Sequence, residues 1–108
     1  LSARDAVYSV VRTIPRGKVL SYGGVAELVE GVYVSARTVG RIMASAPPDV
    51  PWQRVVARDG ELVIARRSPL MAAEQRRLLA LEGVGFSSDG RVRMDEHAWA
   101  PGGTLFSE

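Results

Sequence analysis

Apolar positions in this chain recur at helical spacing in several stretches, with clear punctuation between them. Val7, Val10, Val11 and Ile14 fall three and four residues apart. Ser2 precedes them as an N-cap, with Asp5 three residues on, and Pro15 stops the run. The pattern predicts a first helix over about 3–13, followed by a turn at Pro15-Arg16-Gly17-Lys18. Ser21 caps a second helix near 22–29 that turns Val25, Ala26, Leu28 and Val29 inward. After a linker at 30–34, Ser35 caps a third helix over about 36–45, with Val39, Ile42 and Met43 on one face. Two short helices joined by a tight turn make a helix-turn-helix pattern.

The second half reads differently. Ala46-Pro47-Pro48-Asp49-Val50-Pro51 cannot be helical and forms an extended loop. Residues 53–57 and 61–65 alternate around Asp59-Gly60, the signature of a β-hairpin, which would be the wing of a winged helix-turn-helix. Ser68-Pro69 opens a last long helix with Leu70, Met71, Leu78 and Leu81 as its apolar stripe, and Gly83 ends it. Asp89-Gly90 is a further turn and 91–94 a short strand. Trp99 serves packing, His97 lies at the surface, and the tail, about 101–108, frays. The fold class is therefore mainly α with a small β hairpin, in a single domain over 1–108.

Composition narrows the function. The chain has 108 residues, no cysteine and one histidine. Disulfides, thiolate metal sites and metal clusters are excluded as readings, and no cofactor is expected. No apolar run is long enough to span a bilayer and the first residues do not read as a secretory signal, so no membrane partner and a cytoplasmic location are expected. Net charge is only +2, but it is unevenly spread. Arg4, Arg12, Arg16 and Lys18 oppose Asp5 in the first 18 residues, and six arginines oppose Asp49, Asp59 and Glu61 over 35–67. Each region carries a net +3, while acidic groups dominate from 74 onward. Such basic segments suit a nucleic-acid partner.

The motifs sharpen this. Pro51-Trp52-Gln53-Arg54-Val55-Val56 resembles the active-site Pro-Cys-His-Arg-Val of the O6-alkylguanine-DNA alkyltransferases, with Trp52 at the acceptor cysteine and Gln53 at its histidine. Ile14-Pro15-Arg16-Gly17-Lys18-Val19-Leu20-Ser21-Tyr22-Gly23 is similar to the family's Ile-Pro-x-Gly-x-Val-x-Thr/Ser-Tyr-Gly, and Ser35-Ala36-Arg37-Thr38-Val39-Gly40 to its recognition helix, Ala-Arg-x-Val-Gly. The likeness covers about residues 4–100 and implies the winged helix-turn-helix fold of the alkyltransferase C-terminal domain. It also implies roles. Tyr22 would press on a phosphate and hold a nucleotide out of the duplex. Arg37 would fill the gap in the stack. Ser35, Ala36, Thr38 and Gly40 would set the third helix against the minor groove. Glu82 matches the glutamate of the catalytic relay but stays outside the site, and Arg54 would pair with a carboxylate.

Only a thiolate accepts an alkyl group readily at neutral pH, and an indole nitrogen has no free lone pair. The chain therefore resembles the alkyltransferase-like branch, which binds alkylated guanine without repairing it. In that branch an arginine after the hairpin reaches over the modified base; here it is Arg66 or Arg67. Trp52, Pro51 and Val50 would complete the pocket, with the Val50 and Pro51 carbonyls accepting from the guanine amine. The expected partner is double-stranded DNA containing O6-alkylguanine, followed by nucleotide excision repair proteins, with the chain monomeric, nucleoid-associated when bound to DNA, and no enzyme. Two alternatives stay open: a glycosylase-like repair enzyme using Glu82 or Asp49, and a winged-helix regulator reading the major groove through Arg37, Thr38 and Arg41.

Overall fold

The structure, a computed structural model, describes residues 2–101, so nearly all of the tail expected to fray lies outside the described residues. The order of elements is α1 (Ala3–Arg12), β1 (Leu20–Ser21), α2 (Tyr22–Leu28), α3 (Ala36–Met43), β2 (Val55–Val56), α4 (Pro69–Leu81) and α5 (Met94–His97). Two short 3-10 turns, Trp52–Arg54 and Val63–Arg66, flank β2 on either side.

Four serines start four helices. Ser2 Oγ accepts from Asp5 N–H, Ser21 from Gly24, Ser35 from Thr38 and Ser68 from Met71. Each satisfies a donor that the first turn leaves free, worth about 1 kcal/mol per cap. Between the caps, Val7, Val11, Val25, Val39 and Val55 are almost wholly buried in one core that α1, α2 and α3 share with β1 and β2. A second cluster, with Val19, Val56 and Leu79, lies beneath α4. Adjacent β residues face opposite sides, so Val55 and Val56 enter different cores and tie them together.

The sheet is not the expected hairpin. β2 pairs with β1 in parallel, Leu20 opposite Val55 and Ser21 opposite Val56. The chain does turn at 57–60, where Gly60 N–H donates to the Ala57 carbonyl and Ala57 N–H to the Glu61 carbonyl. Residues 63–66 then wind into a 3-10 turn, and 52–54 are also 3-10 rather than strand. Gly60 explains the outcome. Its φ is +89° and an added Cβ would collide with the Val92 carbonyl oxygen, so only glycine lets the turn dock on Val92. Val92 N–H in turn donates to the Gly60 carbonyl.

Three further expectations are corrected. The stripe of α4 is not Leu70, Met71, Leu78 and Leu81. Leu70 and Leu81 are 84% and 62% exposed, and the helix buries Gln75 and Leu79, one turn apart. The segment 91–94 contributes a single antiparallel bridge, Val92 to Phe86, and Met94 opens α5. His97 is not a surface residue either: its side chain is 16% exposed and Nε2 accepts from Gly85 N–H at 2.9 Å. Trp99 packs on the first core, and its backbone N–H donates to the Val19 carbonyl.

Candidate nucleic-acid interface

A cavity of about 430 Å³ opens between α3, the Trp52 turn and the Val63–Arg66 turn. Its walls are chiefly Met43, Trp52, Val55, Val63 and Ile64. Tyr22, Arg37, Arg41 and Arg67 supply polar groups to it, and Gln75 closes its floor. Its size suits a small organic guest, and its apolar walls with a few polar groups are the usual make-up of a ligand pocket.

The α3 side is built from helical spacing. Ala36, Gly40 and Ala44 recur every fourth residue beside Arg37 and Arg41, giving a smooth, basic face. A methyl placed on Gly40 would lie 4.0 Å from the Tyr22 ring, an ordinary contact, so the first turn of α2 packs beside this face. Tyr22 itself is half-buried, and burial pushes its phenol above the ordinary value of 10.0. It stays protonated at neutral pH and can donate to an anionic oxygen. Ser35 and Thr38 do not line the cavity. Ser35 Oγ accepts from Thr38 N–H and its hydroxyl donates to Thr38 Oγ1, which also receives Arg41 Nη2 at 3.4 Å.

Of the residues expected at a lesion pocket, Trp52 and Arg67 line this cavity; Val50, Pro51 and Arg66 do not. Val50 is fully buried in the first core, because the 47–50 turn carries it inward. The Val50 carbonyl accepts from Trp52 N–H at 2.7 Å and that of Pro51 from Arg54 N–H at 3.0 Å. Arg66 is exposed and forks onto both oxygens of Glu61. Successive residues of a 3-10 turn are about a third of a turn apart, so Arg66 and Arg67 face different ways. The lining residues not anticipated are Arg41, Met43, Ala44, Val55, Val63, Ile64 and Gln75. Extending the Arg37 face by one helical turn would have found Arg41 and Ala44. Gln75 stands inside Ala73-Glu74-Gln75-Arg76, a stretch similar to the family, and only that likeness could have marked it.

Behind Trp52 lies a second construction. The Glu82 side chain is 3% exposed and accepts from Gln53 Nε2 at 2.8 Å, Gly17 N–H at 2.9 Å and Arg54 Nε at 3.0 Å. Arg54 also donates to the Ile14 carbonyl. Burial alone pushes this carboxyl up, but the hydrogen bonds from Arg54, Gly17 and Gln53, with the Arg54 charge, together hold it below its ordinary value. Glu82 is thus ionised yet fully occupied. Asp49 is bound to Arg12 on the outer surface. Among the described residues no carboxylate lines the cavity.

Comparison with known proteins agrees with this geometry. Residues 2–84 match the family described as 6-O-methylguanine DNA methyltransferase, DNA binding domain. The DNA base-flipping protein of Escherichia coli (strain K12) is 37% identical over 95 residues, covering 86% of this chain and 70% of the relative. Alkyltransferase-like protein 1 of Schizosaccharomyces pombe is 36% identical over 103 residues, covering 88% and 92%. In three dimensions the chain is similar to S. pombe Atl1 in complex with damaged DNA containing O6-carboxymethylguanine, with a TM-score of 0.76 and 35% identity, over 91% of this chain and 94% of that one. With three quarters of its length inside the family and relatives matched over most of theirs, this chain belongs to the 6-O-methylguanine DNA methyltransferase DNA-binding domain family.

Proposed function

We propose that the protein recognises O6-alkylguanine in duplex DNA by rotating the damaged nucleotide into the Trp52 cavity, without removing the alkyl group. The observation that carries this reading is the cavity itself: an apolar hollow with Tyr22 and Arg37 beside it and an indole where an acceptor thiol would stand. The names of its relatives, a DNA base-flipping protein and an alkyltransferase-like protein, support the reading.

In this reading the small residues of α3 press along the minor groove. Arg37 enters the stack, where a flat guanidinium can stack on bases and donate to the orphaned partner. Tyr22 crowds and hydrogen-bonds the phosphate of the rotated nucleotide. Trp52, Met43 and Val55 pack the alkyl group, and Arg67 reaches across the base. With no cysteine in the chain, transfer to a protein thiol has no acceptor. The glycosylase alternative loses support because Glu82 is saturated and Asp49 is remote. The complex then serves as a signal, handed to nucleotide excision repair proteins by a monomer.

Unstacking a base costs a few kcal/mol, less when the lesion pairs badly, and an apolar fit adds about 1–3 kcal/mol of discrimination. Binding to matched duplexes with and without O6-methylguanine tests this; the lesion duplex is expected to bind at least several-fold tighter. Equal affinities would remove the proposal.

A further inference from the structure

The turn between β2 and the Val63–Arg66 turn carries Arg58, and its guanidinium crosses the start of α2. A methyl placed on Gly23 would lie 3.3 Å from Arg58 Nη2. Gly23 follows Tyr22, so this cation sits one residue along from the phenol that borders the cavity. The turn is anchored from behind by the Gly60 and Val92 backbones, so the backbone that carries Arg58 is held beside α2. Neighbouring carboxylates are engaged elsewhere: Asp59 faces Arg91 at 3.3 Å, and Glu61 takes the fork of Arg66. Glu27 shares a surface groove with Arg58, Ser21 and Gly24, yet among the described residues Arg58 forms no ion pair. An exposed guanidinium with no carboxylate keeps its charge and its donors for an incoming anion.

We propose that Arg58 is a phosphate clamp, a positioning residue that grips the DNA backbone beside the nucleotide rotated by Tyr22. The proposal rests on the base-flipping reading and adds to it a group outside the cavity. Rotating a nucleotide swings its flanking phosphates. The neutral phenol of Tyr22 can crowd a phosphate and donate one hydrogen bond, but it cannot neutralise the charge. Arg58 supplies that charge from beside Gly23, the next residue of α2. Gly23 lets the guanidinium lie close to the helix.

The test is a chemical cycle. Duplexes containing O6-methylguanine are prepared with each flanking phosphate in turn replaced by a neutral methylphosphonate, and bound to the wild type and to Arg58→Gln. Arg58 makes no side-chain hydrogen bond among the described residues, so the variant is expected to melt with the wild type. One position is expected where the neutral linkage weakens the wild type several-fold and leaves Arg58→Gln unchanged. The slope of log affinity against log salt should become shallower by about one in Arg58→Gln and recover in Arg58→Lys. Equal methylphosphonate losses in both proteins at every position, or an unchanged salt slope, would overturn the clamp. Lesion discrimination by the wild type, read in the same series, separates the two ideas. Its presence without the cycle removes Arg58 alone, and its absence removes the flipping reading beneath it.

Discussion

Position 52 shows how one side chain separates binding from chemistry. Trp52 offers a broad apolar face and no nucleophile. Its neighbour Gln53 is an amide whose Nε2 donates to Glu82, so no basic nitrogen stands beside the cavity at this point. Acceptor and base are both gone, and restoring one leaves the other missing. Trp52→Cys is therefore expected to carry no alkyl adduct after incubation with a lesion duplex, because a thiol among Met43, Val55 and Ile64 has its ionisation opposed by burial and no base to aid it. Mass spectrometry reads this directly; a methyl adduct would show that sulfur alone suffices. Trp52→Ala is expected to narrow the gap between lesion and undamaged duplex by about 1–3 kcal/mol. Fluorescence anisotropy titrations on both duplexes measure that gap, and an unchanged one would move the alkyl group away from Trp52.

Secondary elements were legible where their causes are local. A serine cap and a nearby proline specify a helix boundary within a few residues, and Ser2, Ser21, Ser35 and Ser68 each act as such a cap. The wing differs because Asp59-Gly60 encodes a turn but not the partners of the chain around it; β1 takes the strand before the turn and Val92 binds Gly60 itself. Helix α4 misled for a related reason. Its leucines suggest an inward stripe, but the backbone beneath needs donors more than it needs apolar surface. Gln75 Nε2 reaches the Gln53 and Val55 carbonyls at 3.2 and 3.1 Å and so holds both the Trp52 turn and the strand that leaves it. Gln75→Leu is expected to destabilise the protein by about 1–3 kcal/mol although it is more hydrophobic, because it strips donors from buried carbonyls. Urea unfolding decides the matter, and a variant as stable as the wild type would refute this account of α4.

Across the whole molecule, Glu82 joins segments far apart in the chain: the Gly17 turn, the Gln53–Arg54 turn and the end of α4. Removing it strands Arg54, whose side chain is 16% exposed, and Glu82→Ala is expected to cost about 3 kcal/mol. The pH dependence follows from the sign of the shift. The folded carboxyl lies below its ordinary value of 4.5, so the unfolded chain binds the proton more readily. Its stabilisation is complete above that value and fades as pH falls through the folded one. The stability gap between wild type and Glu82→Gln should therefore shrink from about pH 7 to about pH 3, and a constant gap in chemical denaturation would contradict this. The molecule thus divides by range. Helix starts, turn positions and the absence of an acceptor thiol could be read along the chain, because caps, prolines and side-chain chemistry act over a few residues. Packing alone settled that Arg67 rather than Arg66 borders the cavity, that Val50 is core, that β2 pairs with β1, and that Arg58 lies over Gly23. Those outcomes depend on contacts between distant residues, competing for the same buried space and the same hydrogen-bond partners.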